Sequence, residues 1–518
     1  MQLDRRNVLQ AMGFLGLGTI TSIPAFANPV KEYPFTLGVA SGDPWPDGFV
    51  IWTRLAPRPF EPGSGMSASI HQVSWEVAAD ERFKTIVRKG TADASPELGH
   101  SVHVELEGLE PARPYWYRFV IDGHNSPIGK VKTAPIALGP VDQVRIGVAG
   151  CQNYEHGYFT AYRGIAAEDF DAIFHYGDYI YEAPGGRPAT DIPLVRQHIG
   201  PEPVRIDEYR LRYALYKRDP DLQAAHASAA FMMTYDDHEI DNNWAGARDQ
   251  DGTDPELFLI RRFAAMQAWY ENMPVRKAQI PRNGAIQMFR RIDYGNLLRV
   301  NLLDTRQYRD DQLCQKPEEQ NCRDASTLQT GQILGDRQHD WLAQGLDGDR
   351  GWNLIAQQVV VMPYHRLDEA GNPEIGGDSW LGYPESRRKL VRAIQDRNLS
   401  NVVIATGDVH QNIVGYIPAR DEEPESNQVA TEFVCTSISS LGDGRDVKVR
   451  KPDWRPIIAS NANTLFANGQ RGYHAFTVTP QEWRTDIMKM DKVSDYSGQL
   501  SRLASFTIEK GSPLVAQG

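Results

Sequence analysis

Side chains that bind metal ions recur in this sequence where short apolar stretches end. Four stretches run from an apolar segment into Cys, Asp or His, namely Val144–Cys151, Phe174–Glu182, Phe231–Glu239 and Asn401–His410. In α/β proteins, ligands collect at the carboxyl ends of buried strands. A single Gly-Asp is more often a turn, but carboxylates and imidazoles at several strand ends have little structural reason to be there. The sequence therefore predicts that these strand ends meet at a metal-binding rim.

The elements that position this rim differ on the two sides of residue 140. Residues 35–133 form short alternating stretches separated by Gly, Pro and Asp turns, which is typical of a β-sandwich. The segment Leu106–Phe119 resembles the corner of a fibronectin type III domain. From Val144 onward, apolar strands alternate with helical stretches such as Asp207–Tyr216, which is the α/β pattern. We predict a mixed α+β and α/β chain with a β-sandwich at 28–140 and a second domain at 141–518.

The first 27 residues predict an export signal. Arg5-Arg6 precedes a mildly apolar stretch that ends in Ala25-Phe26-Ala27, a small-x-small cleavage pattern. This combination favours the twin-arginine route, with an ordinary secretory signal or a short anchor helix as the alternative. No later stretch reaches the roughly 20 apolar residues of a membrane span. We expect a periplasmic or secreted protein that uses the twin-arginine export machinery and has no stable membrane anchor.

Net charge and cysteine content limit the classes of function and the disulfides that the chain can have. The net charge of −12, with no Lys/Arg run after Arg6, argues against a nucleic-acid groove. Four cysteines are too few for a disulfide scaffold, although Cys314 and Cys322 share a polar loop and are expected to pair in an oxidising compartment. Cys435 lies in an apolar segment typical of a core. Cys151 stands at a strand end, where a thiolate can bind metal.

Five ordered motifs together resemble PhoD-type alkaline phosphatases. They are Cys151–Phe159, Gly177–Glu182, Asp236–Trp244, Leu303–Arg306 and Gly407–His410. Pro34–Pro44 and Arg471–His474 extend the resemblance over almost the whole chain after the signal. The resemblance implies an N-terminal β-sandwich followed by a metallophosphoesterase domain with two β-sheets packed between helices. It also implies hydrolysis of small phosphate mono- and diesters at alkaline pH, with ferric iron beside calcium.

The chemistry of the residues fits the implied iron. Ferric iron favours anionic donors, which Cys151, Asp178 and Tyr181 supply, and His410 would complete the set. Tyr181 follows Asp178 by three residues, so one turn can bring both side chains to one ion. The second oxygen of Asp178 can bridge to a neighbouring calcium.

Calcium needs oxygen ligands, which the remaining residues of these motifs provide. The candidates are Asp237, Asp408 and the amide of Asn242 or Asn243, with Asp207 for a further calcium. Asp237 and Asp408 stand where the ordinary metallophosphoesterase pattern has an amide and an imidazole. Carboxylates at these positions fit calcium better than zinc.

Catalysis would then use metal-activated water, so that no dedicated base is expected. His238 is the candidate for contacting the phosphate or protonating the leaving oxygen, with a merely orienting histidine as the alternative. Arg210 could clamp the phosphate, or it could be a helix-surface arginine paired with Glu208. Arg306 is expected to buttress the rim.

Two other functions fit part of the pattern. A phospholipase D-like diesterase acting on lipid head groups would use the same site with a wider, more apolar entrance. A nonenzymatic β-sandwich binding protein would hold calcium only for structure. The clustering of thiol, phenol and imidazole at strand ends argues against the second alternative.

Overall fold

The structure is a computed structural model, and it describes most of the chain. The described residues are 29–186, 192–312, 330–367, 373–374, 376–421, 423–424, 426–443 and 458–517. The predicted export signal and the predicted pair of Cys314 and Cys322 lie outside them. Among the described residues, no helix has the length and apolar character needed to cross a membrane.

Helices and strands alternate after an N-terminal region of strands alone. The α-helices of the described residues are α1 (Ala161–Ala167), α2 (Ile206–Lys217), α3 (Pro220–Ser228), α4 (Pro255–Asn272), α5 (Gly335–Gly345) and α6 (Pro384–Gln395). The strands up to residue 150 are β1 (Val39–Trp45), β2 (Gly48–Arg54), β3 (His71–Ala78), β4 (Ile86–Ala94), β5 (Ser101–Glu105), β6 (Pro114–Ile121), β7 (His124–Asn125), β8 (Gly129–Lys132) and β9 (Val144–Ala149). The later strands are β10 (Ala172–His175), β11 (Ala230–Met233), β12 (Arg290–Tyr294), β13 (Leu298–Leu302), β14 (Trp352–Ala356), β15 (Arg366–Leu367), β16 (Pro373–Glu374), β17 (Val402–Thr406), β18 (Asn412–Pro418), β19 (Gln428–Val434), β20 (Thr464–Asn468), β21 (Gly472–Val478), β22 (Glu482–Met490), β23 (Leu500–Glu509) and β24 (Val515–Gln517).

Two large sheets form the centre of the fold. One has the strand order β24-β23-β22-β21-β9-β10-β11-β1-β2-β5, and the other has the order β12-β13-β14-β17-β19-β18-β20. Parallel pairing joins β9, β10 and β11 in the first sheet and β13, β14, β17 and β19 in the second. Residues of both sheets, such as Phe174 and Phe433, share one apolar core. The carboxyl ends of the predicted strands therefore lie at the edges of two packed sheets.

Helices cover the outer faces of these sheets. Tyr162 of α1 and Tyr213 of α2 share a core with Ile173 of the first sheet. Leu390 of α6 shares another core with Ile404 of the second sheet. The predicted arrangement of two β-sheets between helices is thus observed.

The N-terminal strands are divided between two sheets. β1, β2 and β5 extend the ten-stranded sheet, whereas β3, β4, β6, β7 and β8 form a separate sheet. Both groups contribute to the same apolar core, for example through Ile51 and Phe119. β1 pairs in parallel with β11, with Ser41 opposite Ala230. The N-terminal region is therefore hydrogen-bonded directly to the strand that leads into Asp236 and Asp237.

Candidate metal centre

Three neighbouring strand ends of the first sheet face one strand end of the second. Cys151 follows β9, Asp178 follows β10 and Asp237 follows β11, while Asp408 follows β17. Backbone hydrogen bonds of 3.0 Å from Cys151 N to Gly177 O and from Gln152 N to Asp178 O hold the first two turns together. The order of the strands along the sheet thus brings together residues that are far apart in the sequence.

Tyr176 fixes the spacing between the two sheets. Its ring lies against Gly150 at the end of β9 and Gly407 at the end of β17, where an added Cβ would collide with the ring. The Tyr176 hydroxyl donates a 2.8 Å hydrogen bond to the carbonyl of Thr436. The two glycines are therefore required for the close approach of this tyrosine, which joins both halves of the rim.

Several residues of the rim adopt a backbone conformation that side chains other than glycine rarely adopt. Their φ angles are 50° for Cys151, 53° for Asp178, 54° for Asn243, 67° for Asp408 and 58° for His410. This backbone conformation costs free energy, and it persists where the surrounding structure enforces it, which is common at functional sites. Their concentration at one rim indicates that side-chain direction is under strict control there.

The first half of the site surrounds one oxygen of Asp178. Asp178 Oδ2 lies 3.3 Å from Cys151 Sγ, 2.7 Å from the Tyr181 hydroxyl and 4.0 Å from His410 Nε2. The Tyr181 hydroxyl is also 3.1 Å from His410 Nε2. Thiol, carboxylate, phenol and imidazole therefore converge on one point, as predicted for a single ion.

The second half consists mainly of carboxylates. Ligand atoms of Asp236, Asp237 and Asp408 lie within 4.8 Å of one another, and a second such group joins Asp237 to Asp178 and His238. The backbone N–H of Asn243 donates a 2.8 Å hydrogen bond to Asp237. Asp237 and Asp408 are brought together as predicted, and Asp236 adds a carboxylate that the sequence analysis did not assign.

The side chains of Asn242 and Asn243 differ in their surroundings. The Asn242 amide donates a 2.9 Å hydrogen bond to Gln250, while its backbone N–H donates to Glu182. Both asparagines line the cleft over the carboxylates, and Asn243 also lines an adjoining pocket beside Asp408. Because the Asn242 hydrogen bond uses its Nδ2, the amide oxygens of both asparagines remain candidate ligands.

The Arg306 guanidinium offsets part of the negative charge of the second half of the site, which is called the acidic half from here on. It is fully buried and forms ion pairs of 2.5 Å with Asp236 and 2.5 Å with Asp378, and it lies 3.6 Å from both Asp237 and Asp408. The sequence predicted a buttressing role for Arg306, and the contacts confirm it. Asp378 was missed because nothing near it in the sequence marks it as part of this site.

Two buried glutamates orient the rim. Glu239 accepts hydrogen bonds from the backbone N–H groups of Asp178 at 3.1 Å, Tyr179 at 2.5 Å and Asp236 at 2.8 Å, so it joins the turns after β10 and β11. Glu182 accepts a 2.7 Å hydrogen bond from His238 Nδ1. Both glutamates serve as hydrogen-bond acceptors, so an acidic residue in these motifs need not be a metal ligand.

The His238 ring is held firmly at the rim. Its ring packs on that of Tyr181 with centroids 4.1 Å apart. Burial alone would lower the pKa of His238, but the carboxylates of Glu182, Asp237 and Asp178 outweigh burial and raise that pKa well above its ordinary value. Because Glu182 occupies Nδ1, the Nε2 side of the ring is the one available for chemistry at the cleft.

Burial and the repulsion between acidic groups raise the pKa values of several side chains in the site. Burial, followed by the charge of Asp178, raises the pKa values of the Cys151 thiol and the Tyr181 phenol well above their ordinary ranges. Burial also raises the pKa of Asp408, with the charge of Asp378 as the next contribution. Such a cluster of buried acids needs positive charge beyond that of Arg306 to remain ionised.

Three carboxylate oxygens of the site also lack a hydrogen bond. Asp178 Oδ1, Asp236 Oδ2 and Asp237 Oδ1 are buried without a hydrogen bond. Buried polar atoms are normally satisfied, and an unsatisfied one requires an explanation. Bound cations would satisfy these oxygens and stabilise the ionised acids, so the residues present fit a metal centre.

An open cleft of about 390 Å³ lies over the site. Its walls include Asp237, His238, Asn243, Asp408, His410 and Arg471. The cleft is polar and gives access to both halves of the site. A small anionic ligand could therefore reach the metal-binding residues from solvent.

The structure does not bring Arg210 or Asp207 to this cleft. Both lie on α2 and line a separate surface cleft with residues of the N-terminal region. Arg210 donates two hydrogen bonds of 2.7 Å to the buried Glu271 and one of 3.1 Å to Asp207. Glu208, the partner considered for Arg210, pairs with Arg205 instead. The suggested phosphate clamp and further calcium ligand are therefore placed outside the candidate metal centre.

The remaining cysteine prediction agrees with the structure. Cys435 is fully buried as a free thiol and lies 3.3 Å from the carbonyl of Val148. Burial raises the pKa of the Cys435 thiol well above its ordinary value, which keeps the thiol neutral. Cys435 is therefore part of the core, in contrast to Cys151 at the rim.

Comparison with known proteins supports this description. Residues 146–487 match the family model of the PhoD-like phosphatases, and residues 21–135 match that of the PhoD-like phosphatase N-terminal domain. The chain is 42% identical over 520 residues to alkaline phosphatase D of Bacillus subtilis (strain 168), a match that covers 98% of this chain and 88% of that protein.

Solved structures show the same relationship. A structure of PhoD superposes with a TM-score of 0.89 at 42% identity, covering 95% of this chain and 93% of the other. Purple acid phosphatase PPD1 from yellow lupin (Lupinus luteus) seeds superposes with a TM-score of 0.55 at 15% identity, covering 93% and 74%, which is a likeness of fold alone. The nonenzymatic alternative is wrong, because the chain belongs to the PhoD-like phosphatase family and is a phosphoric ester hydrolase.

Proposed function

We propose that this protein hydrolyses small phosphate monoesters and diesters at a centre of ferric iron and calcium. The convergence of Cys151, Tyr181 and His410 on one oxygen of Asp178 carries the proposal. Thiolate and phenolate donors together are a poor set for calcium or magnesium and a good one for a ferric ion. These four residues would hold the iron.

Calcium would occupy the acidic half. Its ligands would be Asp178, Asp237, Asn243 and Asp408, all of which offer oxygen. The buried oxygens of Asp178 and Asp237 that lack hydrogen bonds support this assignment. When bound, the two metals would activate water for attack on phosphorus and neutralise the phosphoryl oxygens.

His238 would act on the leaving group. The Glu182 carboxylate holds its ring through Nδ1, and Tyr181 packs against its face, so its direction is fixed before substrate binds. We assign its Nε2 to a contact with the phosphate or to donation of a proton to the departing oxygen. Arg306 would help the bound metals to keep the carboxylates ionised, without itself contacting the substrate.

The walls of the cleft favour soluble substrates. The described residues around its opening are mostly polar, including Asn242, Gln411 and Arg471. A phospholipase D-like enzyme calls for a wide apolar entrance that accepts lipid. We therefore assign small, water-soluble phosphate esters to this site.

The proposal includes export and domain organisation. Residues 1–27 would direct twin-arginine export to the periplasm or the medium, followed by a fibronectin type III-like domain at 28–140 and the catalytic domain at 141–518. A reporter fused to residues 1–27 tests the signal. Loss of export in Arg5→Lys with Arg6→Lys is the expected result, and export that continues would contradict the assignment.

The catalytic proposal is tested with full-length protein purified without added metal. We expect elemental analysis to find iron and calcium, and we expect turnover of 4-nitrophenyl phosphate and bis(4-nitrophenyl) phosphate. Zinc in place of both metals would overturn the metal assignment. Turnover of the monoester with none of the diester would overturn the substrate assignment while leaving the metal assignment intact.

A further inference from the structure

Ser440 lies between two of the proposed iron ligands. It is buried, with a relative exposure of 1%. Its hydroxyl oxygen is 2.7 Å from the Tyr181 hydroxyl and 2.7 Å from the carbonyl oxygen of Cys151. The backbone N–H of Asn153 donates a 3.0 Å hydrogen bond to the same serine oxygen. One side chain thus contacts the backbone of Cys151 and the donor atom of Tyr181.

The surrounding contacts decide where the serine proton points. A serine has one O–H donor, and the bond from Asn153 already occupies one acceptor position of its oxygen. The carbonyl of Cys151 also accepts a 3.2 Å hydrogen bond from the backbone N–H of Ser440, so it does not require the hydroxyl. A phenolate is negatively charged and accepts a stronger hydrogen bond than a neutral carbonyl. The hydroxyl hydrogen is therefore directed to Tyr181 once Tyr181 is ionised.

The other neighbours of the Tyr181 oxygen cannot take this role. Asp178 Oδ2 at 2.7 Å and His410 Nε2 at 3.1 Å are proposed ligand atoms of the same ion. An atom that coordinates iron carries no proton to donate. Among the described contacts of this oxygen, Ser440 is therefore the donor that remains when metal is bound.

The loop around Ser440 is held in place. The carbonyl of Ser440 accepts hydrogen bonds of 2.9 Å from the Ser437 hydroxyl and 2.8 Å from Arg471. Arg471 lines the substrate cleft. The position of the serine hydroxyl is thus fixed by contacts that do not involve the metal ligands.

We propose that Ser440 donates a hydrogen bond to the Tyr181 phenolate and thereby controls how strongly that ligand donates electrons to iron. The inference rests on the proposed function, because it requires Tyr181 to bind ferric iron. Hydrogen bonds to ligand atoms set the basicity of the ligand and the reduction potential of the metal. Ser440 is therefore a positioning residue that acts through Tyr181 and does not touch the substrate.

The visible spectrum of the iron-loaded, full-length protein tests this role. Ser440→Ala removes the donor and raises the energy of the phenolate electrons, so the phenolate-to-iron absorption band should move to longer wavelength. Ser440→Thr keeps a hydroxyl and should retain the wild-type band. Ser439→Ala is the matched control, because Ser439 is also buried and donates a 2.8 Å hydrogen bond to the carbonyl of Asn153 in the same loop.

The band of Ser439→Ala should match that of the wild type. An unshifted band in Ser440→Ala would overturn the inference. Resonance Raman spectra of the wild type in H₂O and D₂O give a second readout that requires no variant to fold. The phenolate C–O frequency should change on deuteration, and an unchanged frequency would also overturn it. A colourless, iron-free wild type would instead remove the proposed iron site, and the role of Ser440 with it.

Discussion

The two halves of the metal centre are built from different donors, although they share Asp178. In one half, Cys151, Tyr181 and His410 surround a single oxygen of Asp178. In the other, the carboxylates include Asp237 and lie within reach of the Arg306 guanidinium. The first half therefore depends on acids that hold their protons until metal arrives, whereas the negative charge of the second is partly offset in advance by a permanent cation.

This difference predicts different behaviour towards metals. Burial raises the pKa values of Cys151 and Tyr181, so binding of iron must displace protons from both groups. The resulting thiolate and phenolate bonds should exchange slowly. Carboxylate and amide oxygens bind calcium more weakly and exchange faster. The two ions should therefore be separable by experiment.

Replacing the shared residue should have the largest effect. Asp178→Asn removes a charge that both ions use, so both metals should be lost or poorly held. We expect kcat/KM to fall by more than the roughly 10–100-fold typical of a residue that only supports a ligand. Metal content and turnover measured on the same preparation check this. A variant with wild-type activity would end the dinuclear assignment.

Chelation should separate the two halves. A calcium-selective chelator should abolish turnover while the visible colour of the iron half remains. Activity should return when calcium is added, because hard oxygen ligands rebind the ion readily. Recovery with zinc alone, and none with calcium, would contradict the assignment of the acidic half. Absorption spectra recorded during the titration show whether iron is retained.

Tyr181→Phe should weaken only the iron half. The substitution keeps the ring that packs on His238 but removes the donor oxygen. Iron affinity should fall and the phenolate absorption should disappear, whereas calcium content should change little. Cys151→Ser is the companion variant, since it removes the contribution of the thiolate to the same spectrum. An unchanged spectrum in Tyr181→Phe would mean that Tyr181 only fills space.

The sequence predicted the candidate ligands at the rim better than the residues and strands that hold them in place. Strand ends carrying Cys, Asp and His were recognisable because each follows a short apolar stretch, and parallel strands place such ends together. Asp378 carries no such signal, since its role arises from contact with Arg306, 72 residues away in the sequence. The parallel pairing of β1 with β11 was equally inaccessible, because no local pattern specifies which distant strand completes a sheet.

The position of Arg210 away from the cleft has a simple geometric cause. The helix that carries it was predicted at Asp207–Tyr216 and is observed as α2. Residues two positions apart on a helix point in nearly opposite directions. Arg212 points towards the rim and donates a 3.0 Å hydrogen bond to the carbonyl of Ala183, whereas Arg210 points to Glu271. Sequence spacing alone did not reveal which arginine faces the site.

The smallest effect on the metal centre is expected from Arg210→Ala. Arg210 makes two hydrogen bonds in its ion pair with the fully buried side chain of Glu271. Its loss leaves that carboxylate without its ion-pair partner, with a 2.9 Å hydrogen bond from Gln267 remaining. The free energy of unfolding should fall by about 3 kcal/mol. Among the described residues, none that Arg210 contacts belongs to the rim. Below the melting temperature, kcat/KM should therefore stay within about twofold of the wild-type value. A twofold change corresponds to the roughly 0.5 kcal/mol expected of a remote substitution.

Thermal unfolding and steady-state kinetics on the same sample separate these two effects. Arg212→Ala provides the contrast, since Arg212 also donates to the carbonyl of Tyr181, and its loss should reduce iron content as well as stability. A large loss of kcat/KM in Arg210→Ala, with unfolding unchanged, would return Arg210 to the phosphate site. Metal content at the wild-type level in both arginine variants would instead show that α2 supports the rim through neither side chain.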